Sequence, residues 1–186
     1  MSLSDFSLEN KVALITGGSS GLGKMMALAL ARAGAFVWIA SSRDNADDTL
    51  KEIKQKGFNA SFVQTDVASS DALEKTVSKI LKQSNRIDIL INAAGINLRT
   101  SAEELTMGEW QKTIDINLTA PFYLSQLVSK SMKKNNWGRI INIASLQSLR
   151  AFDNSIPYGA SKGGIMQLTR ALAQACLLYT SPSPRD

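Results

Sequence analysis

The chain has 186 residues, 44% of them hydrophobic, and its 21 basic and 16 acidic side chains give a net charge of +5, which predicts one globular domain with a sizeable core. The basic residues are scattered and aromatic residues make up only 6% of the chain, so we expect no nucleic-acid partner. Because there is no histidine and only one cysteine, the sequence excludes an internal disulfide and argues against a metal site.

The N-terminal segment and the apolar runs bear on cellular location. The first eight residues are too polar for a signal peptide, and no apolar run approaches the ~18 residues that would span a bilayer. We therefore expect a cytoplasmic protein without a membrane partner.

Short apolar, β-branched runs alternate with longer amphipathic stretches along the chain. The runs predict strands over residues 12–16, 36–40, 60–64, 87–92 and 139–144. The stretches between them predict helices over residues 21–33, 46–56, 70–83 and 158–175, and one over 106–134 that Pro121 either bends or breaks. Buried strands separated by helices specify a doubly wound α/β fold, in which a parallel sheet lies between two layers of helices.

The last eleven residues differ in character from the rest. Two prolines within three positions forbid continuation of the preceding helix. We interpret residues 1–175 as one domain and 176–186 as a tail outside it, either natively disordered or foreign sequence. We prefer the second interpretation, in which the chain is truncated before a sixth strand and the sheet keeps an exposed edge.

A glycine-rich turn joins the first predicted strand to the first predicted helix. It reads Thr16-Gly-Gly-Ser-Ser-Gly-Leu-Gly23, which gives its glycines the spacing G-x-x-x-G-x-G. Such glycines bring backbone N–H groups against a pyrophosphate, and the helix N-terminus adds partial positive charge. The turn can also be purely structural, but its place between strand and helix favours a dinucleotide site formed by Gly17, Ser19, Ser20, Gly21, Leu22 and Gly23.

The end of the second predicted strand bears on which nicotinamide cofactor is used. An acidic side chain there would bond the adenosine ribose and repel a 2′-phosphate. Here the residues are Ser41, Ser42 and Arg43, and the first carboxylate is Asp44. This favours NADP over NAD, although Arg43 can also be read as a solvated loop cation.

Ser145, Tyr158 and Lys162 supply acid–base groups in a chain without histidine. A tyrosine hydroxyl ordinarily has a pKa of roughly 10, and a nearby ammonium favours the phenolate. Tyr158 and Lys162 are four residues apart on a predicted helix, so their side chains lie on the same face. Alone, this spacing is more often an ordinary surface pair than a catalytic one.

Taken together, the motifs resemble those of the short-chain dehydrogenase/reductase family. The resemblance covers roughly residues 8–175 and rests on the glycine turn, the segment Asn92-Ala-Ala-Gly95, Asn117, Ser145 and the Tyr158–Lys162 pair. It implies a Rossmann fold and an NAD(P)-dependent oxidoreductase that interconverts a secondary alcohol and a ketone.

The resemblance also implies a role for each motif residue. Tyr158 would be the acid/base, Lys162 would assist it and hold the nicotinamide ribose, and Ser145 would bond the substrate oxygen. Asn117 would support a water that leads protons to bulk solvent. Further cofactor contacts would come from Asp66 and Val67 near the adenine and from Asn92, Ala93 and Gly95 beside the cofactor.

Several readings of the site and substrate stay open at the level of sequence. Ser148 is a rival to Ser145 for the substrate contact, although the thirteen-residue separation of Ser145 from Tyr158 matches the family. Within the family, the chain is similar to sugar-acid dehydrogenases of the gluconate and deoxygluconate types. The alternatives are a 3-ketoacyl thioester reductase and an inactive dinucleotide-binding fragment. By the same resemblance, helices 106–134 and 158–175 would pair subunits in a homodimer or homotetramer.

Overall fold

The computed structural model describes residues 6–176 of the chain. Within them, five parallel strands form one sheet in the order β3-β2-β1-β4-β5. The strands are β1 (Val12–Thr16), β2 (Phe36–Ser41), β3 (Ala60–Gln64), β4 (Ile89–Asn92) and β5 (Arg139–Asn142). This order is that of a doubly wound dinucleotide-binding sheet, so the α/β fold is confirmed.

Six α-helices connect and flank the strands in the described residues. They are α1 (Gly21–Arg32), α2 (Asp47–Gln55), α3 (Ser70–Ser84), α4 (Met107–Ile114), α5 (Ala120–Lys134) and α6 (Ile156–Cys176). A short 3₁₀ turn, Leu146–Ser148, lies between β5 and α6. Of the predicted tail, residues 177–186 lie outside the described residues, so that prediction stays a prediction.

The long helix predicted over 106–134 is continuous but changes its geometry before Pro121. Thr106 begins it with a capping box, because its hydroxyl accepts from the backbone of Glu109 and the Glu109 carboxylate accepts from the Thr106 N–H. A π-helical turn, Asp115–Thr119, then separates α4 from α5. Pro121 sits in the first turn of α5, where a proline is tolerated. The irregularity that the sequence placed at Pro121 therefore lies one turn earlier.

Two apolar clusters pack on the opposite faces of the sheet. On one face, Leu14 and Leu90 pack against helices α3 and α5. On the other face, Ile15 and Ile39 pack against helices α1 and α2. Neighbouring residues of one strand serve different layers because side chains alternate across a sheet. All five residues of β1 are buried, and full burial of each large aliphatic side chain contributes about 1.5–3 kcal/mol.

The carboxyl ends of β1, β4 and β5 meet at one edge of the sheet. The Thr16 hydroxyl, at the end of β1, accepts bonds of 3.2 Å from the backbone N–H groups of both Ala93 and Ala94. Ile143, directly after β5, donates its N–H to the Asn92 carbonyl at the end of β4. Most of the motif residues follow these strands, so the fold gathers them at this edge. No helix in residues 6–176 has the length and apolar character to cross a membrane.

Candidate active site

The glycine turn after β1 is shaped by two close backbone approaches. A Cβ on Gly17, which has φ +69°, would lie 2.9 Å from the Ala94 nitrogen. A Cβ on Gly23 would lie 2.2 Å from the Gly17 carbonyl oxygen, so α1 can pack this close only with glycine there. Gly21 also has a positive φ, +54°, but it faces open space. Gly17 and Gly23 thus build the turn, whereas Gly21 borders the space outside it.

The N-terminus of α1 faces the open space beside Gly21, and no acidic side chain there would compete with an anionic ligand. Ser20 is the N-cap residue and makes no side-chain cap bond, and the first turn contains no acidic residue. The first N–H groups of a helix lack intrahelical partners and attract anions. Leu22, in the same turn, is exposed. These features fit the pyrophosphate of a dinucleotide cofactor.

The end of β2 lies beside the glycine turn. The Ser41 hydroxyl is 3.0 Å from the Ser19 hydroxyl and accepts the Arg43 N–H at 3.3 Å. Ser42 and Arg43 are exposed. The glycine turn and the end of β2, both predicted from sequence to bind the cofactor, are therefore in direct contact. The guanidinium of Arg43 is accessible to a ligand.

The segment after β3 forms a tight turn. The Asp66 carboxylate accepts the Ala68 N–H at 3.0 Å, while the Asp66 side chain stays exposed and Val67 is buried in the core. The carboxylate therefore stabilises its own turn. Whether Asp66 and Val67 contact an adenine stays a prediction.

Asn92 ends β4, and Gly95, three residues later, lies close to the Lys162 side chain of α6. Asn92 is buried and donates from Nδ2 to the Asn142 side chain at 2.8 Å, whereas its Oδ1 has no hydrogen-bond partner among the described residues. Ala93, next in the chain, is half-buried. A Cβ on Gly95 would lie 3.2 Å from the Asn117 Oδ1 and 4.0 Å from the Lys162 Nζ. The missing side chain of Gly95 therefore leaves room beside both groups.

Tyr158 and Lys162 lie together on α6, as their spacing predicts. The Lys162 Nζ is 5.6 Å from the centroid of the Tyr158 ring and donates a hydrogen bond to the Ile143 carbonyl. Lys162 is only 6% exposed, and this burial lowers its pKa from the usual lysine value. An ammonium facing an aromatic ring at this distance is attracted electrostatically. Tyr158 and Lys162 therefore form a pair whose ammonium is buried, and not a solvated pair on the helix surface.

Asn117 is buried in the π-helical turn between α4 and α5. Its Oδ1 accepts the Ile96 N–H at 2.9 Å, and its Nδ2 donates to the Ile96 carbonyl at 2.8 Å and to the Ser161 hydroxyl at 3.1 Å. Both amide hydrogens are thus committed. The Oδ1 atom lies beside Gly95, because a Cβ there would be only 3.2 Å from it.

The two rival serines after β5 have different hydrogen-bonding states. The Ser148 hydroxyl donates to the Lys162 carbonyl at 2.7 Å and accepts the Ser145 N–H at 3.3 Å. The Ser145 hydroxyl accepts the Gln147 N–H at 3.2 Å, and no acceptor for its own hydrogen lies among the described residues. Ser145 can therefore donate to a ligand, whereas the hydrogen of Ser148 is already used.

Sequence reasoning missed Ser161 and the carbonyl of Ile143. Ser161 is fully buried, and its hydroxyl donates to the Tyr158 carbonyl at 2.7 Å. A serine three residues after another helical residue can make this bond, so the spacing was a usable signal. The contact of Lys162 with Ile143 joins groups nineteen residues apart, and no local pattern indicates it.

The model of the family described as "short chain dehydrogenase" matches residues 11–179 of the chain. Among curated proteins, the NAD-dependent glycerol dehydrogenase of Listeria innocua is 36% identical over 94% of this chain and 68% of its own length. The 2-dehydro-3-deoxy-D-gluconate 5-dehydrogenase of Formosa agariphila is 38% identical over 96% of this chain and 69% of its own. The 3-oxoacyl-[acyl-carrier-protein] reductase of Synechocystis is 39% identical over 90% of this chain and 68% of its own.

Solved structures of short-chain oxidoreductases are also similar to this chain. The crystal structure of gox2181 superposes with a TM-score of 0.90 at 34% identity, covering 95% of this chain and 70% of that one. A metagenomic short-chain oxidoreductase in complex with NADP superposes with a TM-score of 0.87 at 30% identity, covering 90% of this chain and 77% of that one. At these identities the likeness extends beyond the fold to the family.

Proposed function

Since the chain belongs to the short-chain dehydrogenase family and is thus an oxidoreductase, we propose that it interconverts a secondary alcohol and a ketone at Tyr158, with NADP as cofactor and a sugar acid as substrate. The observation that carries the proposal is the Tyr158–Lys162 pair, which lies beside Gly95 at the same sheet edge as the glycine turn. An acid–base group next to a dinucleotide cradle suits hydride chemistry.

The cofactor would be held by groups along the carboxyl edge. The N–H groups at the start of α1 would bind the pyrophosphate, and Arg43 with Ser41 and Ser42 would bind the adenosine ribose and its 2′-phosphate. Asn92 adds a buried side-chain oxygen, Oδ1, which has no partner among the described residues and can accept a bond from a ligand or a water. When bound, the nicotinamide exchanges a hydride with the substrate carbon.

The chain's own residues handle the proton. In oxidation, the Tyr158 Oη takes the proton of the substrate hydroxyl, and in reduction it returns one to the oxygen. The Lys162 ammonium, fixed by the Ile143 carbonyl, stabilises negative charge as it develops on the tyrosine oxygen. Ser145 donates to the substrate oxygen, since its hydrogen has no acceptor among the described residues. The missing side chain of Gly95 leaves room beside Asn117 and Lys162, where Asn117 would support a water for proton exchange with solvent.

The choice of NADP rests on the β2 end. Arg43 is exposed, and residues 41–43 carry no carboxylate that would repel a 2′-phosphate. Two structural neighbours contain NADP, whereas one curated relative is named as NAD-dependent. Relatives therefore differ in cofactor, and the proposal depends on Arg43 itself.

Two substrate classes compete at the loop after Ser145. Arg150, whose N–H bonds the Leu146 carbonyl, is an exposed cation five residues from Ser145 and suits the carboxylate of a sugar acid. In the same loop, Leu146 and Leu149 are exposed and suit an acyl chain. The second candidate function is therefore a 3-ketoacyl thioester reductase, the class of one relative.

The test is a turnover screen of the chain with NADP or NAD. Sugar acids, polyols and 3-ketoacyl thioesters are supplied in turn, and the absorbance of the reduced nicotinamide is followed. We expect turnover with a sugar acid and NADP; turnover only with the thioester would support the second function. Cofactor binding without turnover of any alcohol or ketone would overturn the catalytic proposal and favour a dinucleotide-binding role.

Tyr158→Phe is the variant that tests the acid–base assignment. Only the ionisable hydroxyl is removed, so we expect kcat to fall by about 10²–10⁴-fold with the Kd for NADP changed little. Full activity in this variant would show that another group moves the proton.

We also propose that the protein is cytoplasmic and assembles as a homodimer or homotetramer. Its support is the exposed apolar side chains of Phe122 on α5 and Ile156 on α6, the helices that pair subunits by resemblance. Light scattering of the purified chain measures its mass, and a monomer at all concentrations would contradict the proposal.

A further inference from the structure

Two serines outside the set of four candidate catalytic residues connect all four of them. Ser148 accepts a bond from the Ser145 N–H and donates to the Lys162 carbonyl. Ser161 accepts a bond from the Asn117 Nδ2 and donates to the Tyr158 carbonyl. Each accessory serine thus receives a hydrogen bond from one of the four residues and gives one to another.

We propose that Ser148 and Ser161 are positioning residues, which hold Ser145, Tyr158, Lys162 and Asn117 at the separations that the reaction requires. This inference rests on the proposed function. Neither serine is assigned contact with substrate or cofactor, because both hydroxyl hydrogens are already committed to backbone carbonyls.

The two serines join different elements. Ser148 connects the 3₁₀ turn after β5 to α6, and Ser161 connects the π-helical turn to α6. Two of the four residues, Tyr158 and Lys162, lie on α6, whereas Ser145 and Asn117 lie on the other two segments. Helix α6 alone would fix Tyr158 relative to Lys162. The two serines are therefore needed to fix Ser145 and Asn117, which lie on other segments, relative to α6.

Ser161 can only accept, and not donate, in its hydrogen bond with the Asn117 side chain. Its hydrogen is donated to the Tyr158 carbonyl, so the hydroxyl can offer only lone pairs to the Asn117 amide. The amide therefore presents Nδ2 to Ser161, and the Ile96 backbone, which donates to Oδ1 and accepts from Nδ2, supports the same orientation. Because Ser161 is fully buried, loss of its oxygen would leave an amide hydrogen without a partner in the interior.

The test compares Ser148→Ala and Ser161→Ala with a matched control. Ser125→Ala is the control, because Ser125, like Ser161, is buried in a helix and donates to a backbone carbonyl, that of Pro121, and it bonds none of the four residues among the described ones. We expect kcat, corrected for folded fraction, to fall about tenfold in the first two variants and KM to change less than about threefold. Ser125→Ala should keep its kcat, and Ser148→Thr, which retains a hydroxyl, should recover most of the loss.

A second measurement does not need turnover. Hydrogen exchange followed by NMR should accelerate at the Ser145 backbone amide in Ser148→Ala and at the Asn117 side-chain amide in Ser161→Ala, but not in Ser125→Ala. Unchanged exchange at both sites, or unchanged kcat in both variants of a chain that turns over, would overturn the positioning role. A wild-type chain that turns over no substrate would instead overturn the proposed function.

Discussion

At the scale of single residues, the site contains a buried ammonium with few partners. Lys162 bonds one carbonyl and faces one aromatic ring among the described residues, and burial lowers its pKa. In the folded protein the charged form is therefore disfavoured relative to the unfolded chain. This destabilising cost is fully present at pH values below the lowered pKa of Lys162, and it is relieved as the pH rises through that pKa toward the ordinary lysine value.

Lys162→Met should separate stability from activity. Removing the buried charge removes its desolvation cost, so we expect a Tm at about pH 7 equal to or higher than that of the wild type, and a gap that narrows toward about pH 10. The kcat should fall by about 10²-fold or more, because charge on the tyrosine oxygen loses its counter-ion. Thermal unfolding across pH and steady-state kinetics measure the two effects. A Tm that is several degrees lower at every pH would show instead that the ammonium stabilises the fold.

Arg43 should decide between the two nicotinamide cofactors. Arg43→Gln removes the exposed guanidinium, and loss of a charge-assisted bond to a phosphate should raise the Kd for NADP by about tenfold or more. The Kd for NAD, which lacks that phosphate, should stay within about twofold. Arg32→Gln is the control, because Arg32 lies at the far end of α1. Equal effects on both cofactors would show that Arg43 does not read the 2′-phosphate.

The local part of the site could be predicted from sequence, but the long-range part could not. Tyr158 and Lys162 are four residues apart on one helix, so their contact follows from helical geometry. The Asn117–Ser161 contact joins residues forty-four positions apart on different helices. No periodicity carries that information, and only the packing of α6 against the π-helical turn creates it.

At the scale of elements, the strands were predicted well because each is a short run rich in apolar residues, although only β1, β2 and β4 are almost fully buried and β5 is partly exposed. The predicted strands start and end within two residues of the observed ones. Helix α6 begins at Ile156, two residues before the predicted start. The π-helical turn was not predicted, since residues 115–119 have no composition that distinguishes this turn from an α-helix.

The glycines of the turn after β1 should respond differently to alanine. Gly23→Ala would place a Cβ 2.2 Å from a backbone oxygen, so α1 must shift and the protein should lose stability. Gly21→Ala meets open space and should cost only about 1–2 kcal/mol for its left-handed conformation. The new methyl group would nevertheless face the proposed pyrophosphate site.

Urea unfolding and NADPH fluorescence titration test this difference. We expect Gly23→Ala to show the larger loss of unfolding free energy, and Gly21→Ala to show a raised Kd for NADPH in a protein that remains folded. The reverse order of stability losses would contradict the steric assignment. An unchanged Kd in Gly21→Ala would mean that the cofactor does not lie against this residue.

At the scale of the whole molecule, the carboxyl ends and the amino ends of the strands contribute differently to the protein. The carboxyl edge carries the candidate site, whereas the amino edge contains an ion pair whose carboxylate is buried and whose guanidinium is partly exposed. Asp88, at 0% exposure, accepts two bonds of 2.7 Å from Arg86 and one of 2.9 Å from the Val12 N–H. The carboxylate raises the pKa of Arg86 by these bonds. The pair connects the start of β1 with the start of β4.

Arg86→Ala should therefore weaken the fold without affecting the site. It leaves a buried carboxylate without its counter-ion, which should cost about 3 kcal/mol of unfolding free energy. Arg139→Ala is the control, since Arg139 is exposed at the start of β5 and forms no ion pair among the described residues. Urea unfolding measures the cost, and NADP titration of the folded variant should give the wild-type Kd. A stability loss no larger than that of the control would contradict this role.

The π-helical turn sets the angular phase between two helices. Each residue of an α-helix advances the side-chain direction by about 100°, so one residue more or less between α4 and α5 rotates one helix against the other by that angle. A single-residue deletion within residues 115–119 would therefore turn Asn117 away from Ser161, or turn the apolar face of α5 away from the sheet. The number of residues in this segment matters to the protein as much as their identities.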